Sequence, residues 1–332
     1  MLNSSDVDYV SKCLQRGQRF VLTTHVNPDG DGLGCEAALA ALLERRGKDV
    51  YVFNNGPVPR NYDFLDPKGK MRLYDSNQHR ETLLTADYII ILDISDWGRL
   101  NEVGQDIRNI DIKKICIDHH PSEYPFGDIR LIDTSACSTG EIVFQLLKKM
   151  DAEITAQMAE ALYTSILTDT GSFKFSNTNQ NAFLICAELL SAGADPQTIY
   201  QKIYERQSLG KLRLFGHMLT NMKLEADGKV AWFVVTRETL ERLGARVHET
   251  EGFADYPRVL ETVEITVIFL ELEPGKTKVS VRSKGRHVVN TIARKFGGGG
   301  HPFAAGILME GDMQAQVEKL LTEIKASIRK NL

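Results

Sequence analysis

Arg19-Phe20-Val21-Leu22-Thr23-Thr24-His25-Val26-Asn27-Pro28-Asp29-Gly30-Asp31 is the stretch on which the rest of the chain is interpreted. A short apolar run ends in an imidazole and two carboxylates, and Pro28 with the glycines at 30, 32 and 34 suits tight turning or close backbone approach. The pattern recurs. Ile115-Cys116-Ile117 leads into Asp118-His119-His120, and Tyr88-Ile89-Ile90-Ile91-Leu92 leads into Asp93. Apolar runs of this length read as fully buried parallel strands. In an open parallel sheet the ligand crevice lies beyond the carboxyl ends of the strands. Three strands that deliver oxygen and nitrogen donors to that edge can build a metal site.

Around these runs strand and helix signals alternate. Val7, Val10, Cys13 and Leu14 mark a helix face stopped at Gly17, and strands are expected over 20–24, 50–53, 72–74, 88–93, 115–118 and 129–132. Residues 138–210 read as helical with breaks near Gly171, Gly193 and Pro196. After Asp227-Gly228 strands are expected over 230–236, 263–272, 277–281 and 304–309, with a helix over 288–296 and an amphipathic helix after the N-cap candidate Asp312. The expected fold is α/β. A parallel, helix-covered sheet occupies residues 1–192, a helical linker 193–222, and a smaller α/β domain with a mixed sheet 223–332.

Composition narrows the function. The 332 residues are 42% hydrophobic and 25% charged with a net charge of −4, which speaks against an extended track for long nucleic acid. One acid-free stretch runs from Glu273 to Glu310 and holds Lys276, Lys278, Arg282, Lys284, Arg286, Arg294 and Lys295. A compact anion pocket or a solvated basic face would both produce it. The start of the chain lacks a basic-then-apolar pattern, and no apolar run reaches the roughly 18 residues of a membrane span. Cys13, Cys35, Cys116, Cys137 and Cys186 form no C-x-x-C pair, so buried free thiols in a reducing cytoplasm are expected.

Taken singly, the donor residues have plainer readings. Asn27-Pro28-Asp29-Gly30-Asp31 suits a solvated turn, Asp93 a helix cap, and His119-His120 one core and one exposed imidazole. Their joint placement at successive strand ends favours chemistry. Asp169, in Leu167-Thr168-Asp169-Thr170-Gly171, adds a carboxylate where the helix dipole disfavours one unless a cation stands nearby. His25, Asp29, Asp31, Asp93, His119 and Asp169 suffice for two divalent ions with one bridging carboxylate. Nitrogen and oxygen donors without cysteine suit Mn²⁺, with Mg²⁺, Fe²⁺ or Co²⁺ as alternatives. Phosphoester hydrolysis is the chemistry such a pair serves. Gly297-Gly298-Gly299-Gly300 before His301 reads as a flexible connector or, inside the basic stretch, as a loop whose N–H groups close on a nucleotide phosphate, with His301 and Arg282 as charged contacts.

These motifs resemble the DHH phosphoesterase superfamily, through His25-x-x-x-Asp29-x-Asp31, Asp93, Asp118-His119-His120 and Thr168-Asp169-Thr170-Gly171. Gly297 to Gly306 resembles the DHH-associated domain of its RecJ-like branch, so the likeness spans nearly the whole chain. The form Gly-Gly-Gly-Gly-His-x-x-Ala-Ala-Gly is most similar to the nano-RNase/pAp phosphatase group. That resemblance implies hydrolysis of two- to few-nucleotide RNAs and of 3′-phosphoadenosine 5′-phosphate. It places His25, Asp29 and Asp93 on one metal and Asp31, Asp93, His119 and Asp169 on the other. His120 would assist at the scissile phosphate and Asp118 would orient the histidines. Gly298, Gly299, Gly300, His301, Arg282 and Ser283 would hold the distal nucleotide across the interdomain cleft. Arg99 and Lys174 are weaker phosphate contacts, and a homodimer is implied. The continuation Gly32-Leu33-Gly34-Cys35 departs from the commoner small residue and serine, at no ligand position. The rival readings are a dedicated linear or cyclic dinucleotide phosphodiesterase, a RecJ-like single-strand exonuclease, a non-catalytic nucleotide sensor and an inorganic pyrophosphatase.

Overall fold

The computed structural model describes residues 3–94, 96–121 and 127–330, which form two compact units, 1–206 and 207–332. The first is built on six strands, β1 Arg19–Thr23, β2 Asp49–Asn54, β3 Met71–Leu73, β4 Tyr88–Leu92, β5 Lys113–Asp118 and β6 Ile129–Ile132. All pair in parallel, in the order β3-β2-β1-β4-β5-β6. The chain therefore winds outward from β1 in one direction, then returns to β4 and winds outward in the other. The reversal lies between β1 and β4, where neighbouring loops leave the sheet to opposite sides and open a crevice.

Helices cover the sheet: α1 Ser4–Arg16, α2 Gly30–Arg45, α3 Ser76–Leu84, α4 Asn101–Arg108, α5 Thr139–Lys149, α6 Ala156–Asp169, α7 Gln180–Ser191 and α8 Pro196–Tyr204. One face of the sheet, through Phe20, Leu22, Ile90, Leu92, Ile115 and Ile117, packs with α1, α2, α5 and α6. The other face, through Val21, Ile89, Ile91 and Cys116, packs with α3 and α4. Burial on both faces explains why these strands are apolar throughout rather than alternating. The glycines at 30, 32 and 34 prove to be helical residues of the first turns of α2, and their value is close approach. A Cβ at Gly32 would stand 2.2 Å from Thr24 Oγ1, and one at Gly34 would stand 2.4 Å from the Ala161 carbonyl of α6.

In the second unit the strands are β7 Lys223–Glu225, β8 Val230–Val235, β9 Ile265–Glu273, β10 Lys276–Ser283, β11 Gly299–His301 and β12 Ala304–Glu310, and the helices α9 Leu209–Asn221, α10 Arg237–Leu243, α11 Asn290–Lys295 and α12 Met313–Lys330. The sheet is mixed, ordered β11-β12-β10-β9-β8-β7, with β8 and β9 parallel and the other pairs antiparallel. Val279 and Val281 face Val317, Leu320, Leu321 and Ile324 of α12, whose first turn is capped by Asp312 Oδ1 on the Ala315 N–H at 2.9 Å. Leu214 and Met218 of α9 cover the opposite face. Residues 193–222, expected as a helical linker, hold α8 in the first unit and α9 in the second. Two short strands, β7 and β11, and the helix α10 were not anticipated. β11 forms because the glycine tract pairs with β12 in the register Gly299↔Gly306, Gly300↔Ala305 and His301↔Ala304, instead of standing as a free loop.

The α2–α6 contact at Gly34 is a packing constraint with a measurable cost. Gly34→Ala is expected to destabilise the first unit by about 1–3 kcal/mol through overpacking, read as a lower urea midpoint at unchanged slope.

Candidate functional site

The carboxyl ends of β1, β4 and β5 and the end of α6 bring the acidic and imidazole side chains into one cluster. His25 Nε2 lies 3.6 Å from Asp29 Oδ2 and 3.4 Å from Asp93 Oδ2. His119 Nε2 lies 3.7 Å from Asp31 Oδ2, 3.9 Å from Asp93 Oδ1 and 3.5 Å from Asp169 Oδ2. The two oxygens of Asp93 thus face different imidazoles. All six side chains expected to ligate are brought together: His25 and Asp29 group with Asp93, Asp31 and Asp169 group with His119, and Asp93 also groups with His119 and His120.

The backbone prepares these groups. Asp93 is held at φ 59°, a left-handed conformation uncommon outside glycine, and its N–H donates to the Ile117 carbonyl of β5 at 3.0 Å. It does not cap a helix. Thr24 Oγ1 donates to the Leu92 carbonyl at 2.9 Å, so the ends of β1 and β4 are tied immediately beside His25 and Asp93. Asp29 and Asp31 do not share a loop: Asp29 is the N-cap of α2 and Asp31 lies in its first turn. Asp29 Oδ1 accepts the N–H groups of Asp31 and Gly32, which leaves Oδ2 facing His25.

Each imidazole is oriented from behind. The His25 Nδ1–H donates to the Val26 carbonyl at 2.8 Å, and the His119 Nδ1–H to the Ala136 carbonyl at 3.3 Å. A carbonyl can only accept, so each Nδ1 carries a proton and each Nε2 is turned to the carboxylates. His119 Nε2 is buried without a hydrogen-bond partner. A lone pair buried among carboxylates is satisfied by a cation, so the donor set fits metal ions. His120 differs: its Nδ1 donates to Asp118 Oδ1 at 2.8 Å, an oxygen that also accepts the N–H groups of His119 and His120.

Three supporting groups escaped sequence reasoning. Asp31, 1% exposed, accepts the N–H groups of Thr139 (2.8 Å) and Gly140 (3.1 Å) at the start of α5, together with the Ser165 hydroxyl. The helix dipole favours that negative charge. Ser138-x-x-Glu141, with Glu141 N–H donating to Ser138 Oγ, carried the sequence signature of such a helix start. Asn177 Nδ2 donates to Asp169 Oδ2 at 3.0 Å and reaches the Cys137 carbonyl at 2.8 Å, and no sequence pattern announced it.

Crowding of like charge shows in the protonation equilibria. Burial, then the charge of Asp31, holds Asp93 well above the usual carboxylate range, and the same two causes push Asp169 to about 6. Burial works against a charged His25, but hydrogen bonds to Asp29 and Asp93 outweigh it and raise the group to about 10. His120 rises to about 9, chiefly through its hydrogen bond to Asp118.

In the second unit Arg282 and His301 line one pocket of about 500 Å³ with Lys278, Ser280 and Asp255. Arg282 Nε stands 3.6 Å from Asp255. Ser283 does not join it. Successive strand residues point to opposite faces, and Ser283, 2% exposed, accepts the N–H groups of Gly285 and His287 on the far side. The glycine tract is also less free than expected. The N–H groups of Gly297 and Gly298 donate to Arg294 and Ala293 at the end of α11. A Cβ on Gly298 or Gly300 would meet backbone oxygens at 2.3 and 2.4 Å, so packing already demands glycine there. Gly299 has no such neighbour. The basic stretch is dispersed: Lys295 pairs with Glu323 and Arg286 with Glu264, leaving Lys278 and Arg282 at the pocket. Arg99, in the first unit, is half-buried without an ion pair among the described residues, and its carbonyl accepts the Val26 N–H at 2.8 Å, one residue from His25.

Comparison with known proteins agrees with this architecture. The DHH family N-terminal domain matches residues 19–166, and the DHHA1 domain matches residues 222–330. The chain is 30% identical to the bifunctional oligoribonuclease and PAP phosphatase NrnA of Thermus thermophilus, over 92% of this chain and 89% of that one. It is 29% identical to the Bacillus subtilis protein of the same name, over 86% and 88%. An exopolyphosphatase-related protein from Bacteroides fragilis superposes with a TM-score of 0.86 at 31% identity, covering 98% of each chain. With both domains matched in order and relatives aligned over nearly their full length, the chain belongs to the DHH family, in its DHH–DHHA1 branch.

Proposed function

We propose that the chain is a divalent-metal-dependent phosphoesterase that hydrolyses short oligoribonucleotides, down to dinucleotides, and dephosphorylates 3′-phosphoadenosine 5′-phosphate. The observation that carries this reading is the convergence of six donor side chains at the sheet's reversal, with Asp93 straddling two imidazoles. His25, Asp29 and Asp93 would hold one ion, and Asp31, Asp93, His119 and Asp169 the other. Mn²⁺ suits the mixed imidazole and carboxylate set. When bound, such ions neutralise phosphoryl charge and lower the pKa of water. Five buried, unpaired cysteines fit work in a reducing cytoplasm.

The chain's own groups divide the remaining labour. His120, protonated at neutral pH and oriented by Asp118, offers Nε2–H to the charge that builds on the phosphate in the transition state. Arg99, whose backbone carbonyl adjoins Val26 and which has no ion pair among the described residues, would add a phosphate contact. In the second unit Arg282, Lys278 and His301 give the phosphate and ribose of a short substrate its charged contacts, with Gly299 admitting close backbone approach. The net charge of −4 supports short substrates over long strands.

A Mn²⁺-dependent digestion of end-labelled RNAs from two to about twenty nucleotides should consume the shortest species first, and equal attack on all lengths would defeat the proposal. Asp93→Ala should abolish turnover. His301→Ala should raise KM for a dinucleotide while sparing a small generic phosphodiester. Titrating Mn²⁺ into metal-free protein at pH 7 should release about one proton or more, because His25, held protonated up to about 10, must shed its proton to ligate. Calorimetry in buffers of different ionisation enthalpy reads that release. Affinity should strengthen as pH rises toward that value and fall below about 6, where Asp169 takes up a proton. For His120 the folded pKa is raised, so its stabilisation is full below 6.5 and is lost as pH rises through about 9. In Asp118→Asn the His120 ring should titrate near its ordinary value, as followed by NMR.

A further inference from the structure

Directly after Asp169 the chain does something costly. Gly171, Ser172 and Phe173 take three consecutive left-handed conformations, at φ 55°, 59° and 63°. Glycine does this freely, but serine and phenylalanine do so at a cost of about 1–2 kcal/mol each. Strain of this kind persists where the surroundings over-determine it, and it concentrates at working sites. The turn is anchored at both ends. The N–H groups of Lys174 and Phe175 both donate to the Thr170 carbonyl at 3.0 Å, and Asn177 Nδ2 returns to the Asp169 carbonyl and Oδ2 at 3.1 and 3.0 Å. Phe173 packs inward, stacked on Phe183 at 5.2 Å, which accounts for its own unusual backbone.

Phe175 is what this turn presents. It is 59% exposed. Its ring lies over Gly171, where an added Cβ would meet three ring carbons at 2.5–2.7 Å. The glycine is thus required twice, by its φ and by the ring. The ring is therefore held against backbone two residues from a proposed metal ligand, and two residues from the amide that orients that ligand. Its neighbour Lys174 is exposed and has no ion pair among the described residues. An aromatic face and a free ammonium side by side are the two contacts that a single-stranded nucleotide takes, one to the base and one to the phosphate.

We propose that Phe175 is a stacking platform for a nucleobase of the substrate, adjacent to the phosphate that is cleaved. The inference rests on the phosphoesterase reading and deepens it. Base recognition then begins in the first unit, next to the chemistry, and is insensitive to base identity because every base offers a π face.

The test compares wild type, Phe175→Leu and Phe175→Trp on pApA and on its two counterparts that each lack one adenine. Leucine keeps the apolar bulk and removes the aromatic face. Phe175→Leu should raise KM for pApA about tenfold, as expected for a lost base stack, with kcat and melting temperature nearly unchanged. It should leave unchanged the KM of the counterpart lacking the stacked base, and Phe175→Trp should restore wild-type KM on pApA. An equal loss on all three substrates, or no loss on any, would overturn the inference while leaving the phosphoesterase reading intact. So would dissociation of a larger species by Phe175→Leu in sedimentation, since the ring would then serve contact with a second copy. Failure of wild type to hydrolyse pApA at all would overturn both.

Discussion

Asp93 sits where the sheet reverses its winding, and the site is organised around its carboxylate. One oxygen faces His25 from β1 and the other faces His119 beyond β5, so three strand ends are registered against a single side chain. That arrangement is electrostatically expensive. Asp31 and Asp93 are almost fully buried, and two unit charges 4 Å apart interact by about 4 kcal/mol at the dielectric typical of pairs near a protein surface. The chain answers with directed donors rather than basic side chains. The start of α5, two hydroxyls and an asparagine amide face the carboxylates, while the Nδ1–H groups of His25 and His119 donate to backbone carbonyls.

The same economy extends to the backbone. Left-handed residues at Asp93 and at 171–173 flank the cluster, and Thr24 ties two strand ends with one hydroxyl. The close contact of α2 with α6, made possible by glycines, brings Asp31 against Ser165 and the start of α5. Packing and charge placement are therefore coupled: moving α2 outward would separate Asp31 from the donors that make its burial tolerable.

The second unit uses different physics. Its sheet alternates, with Val279 and Val281 buried against α12 and Lys278, Ser280 and Arg282 turned to a pocket. The charged side chains that line this pocket are Lys278, Arg282, Glu251 and Asp255. A pocket of this kind discriminates by the spacing of a few contacts, which suits ligands with two ends close together and gives a long strand no continuous track.

The donor residues at the strand ends were legible in the sequence, because a fully buried parallel strand leaves a contiguous apolar run and the residue after it is placed at the sheet edge. His25, Asp93 and His119 needed nothing more. The amphipathic closing helix was equally plain. What tertiary structure decided was how each local element spends its hydrogen bonds. Whether Asp31 belonged to loop or helix, and whether the glycine tract was free or zipped to β12, depended on partners remote in the chain. Ser283 looked equivalent to Arg282 until helices covered one face of β10. Asn177 gained its role only when residues 171–177 folded back on Asp169. Apolar periodicity is a local property that survives in one dimension, whereas the satisfaction of polar groups is settled by whichever groups the completed fold brings within about 3 Å of them.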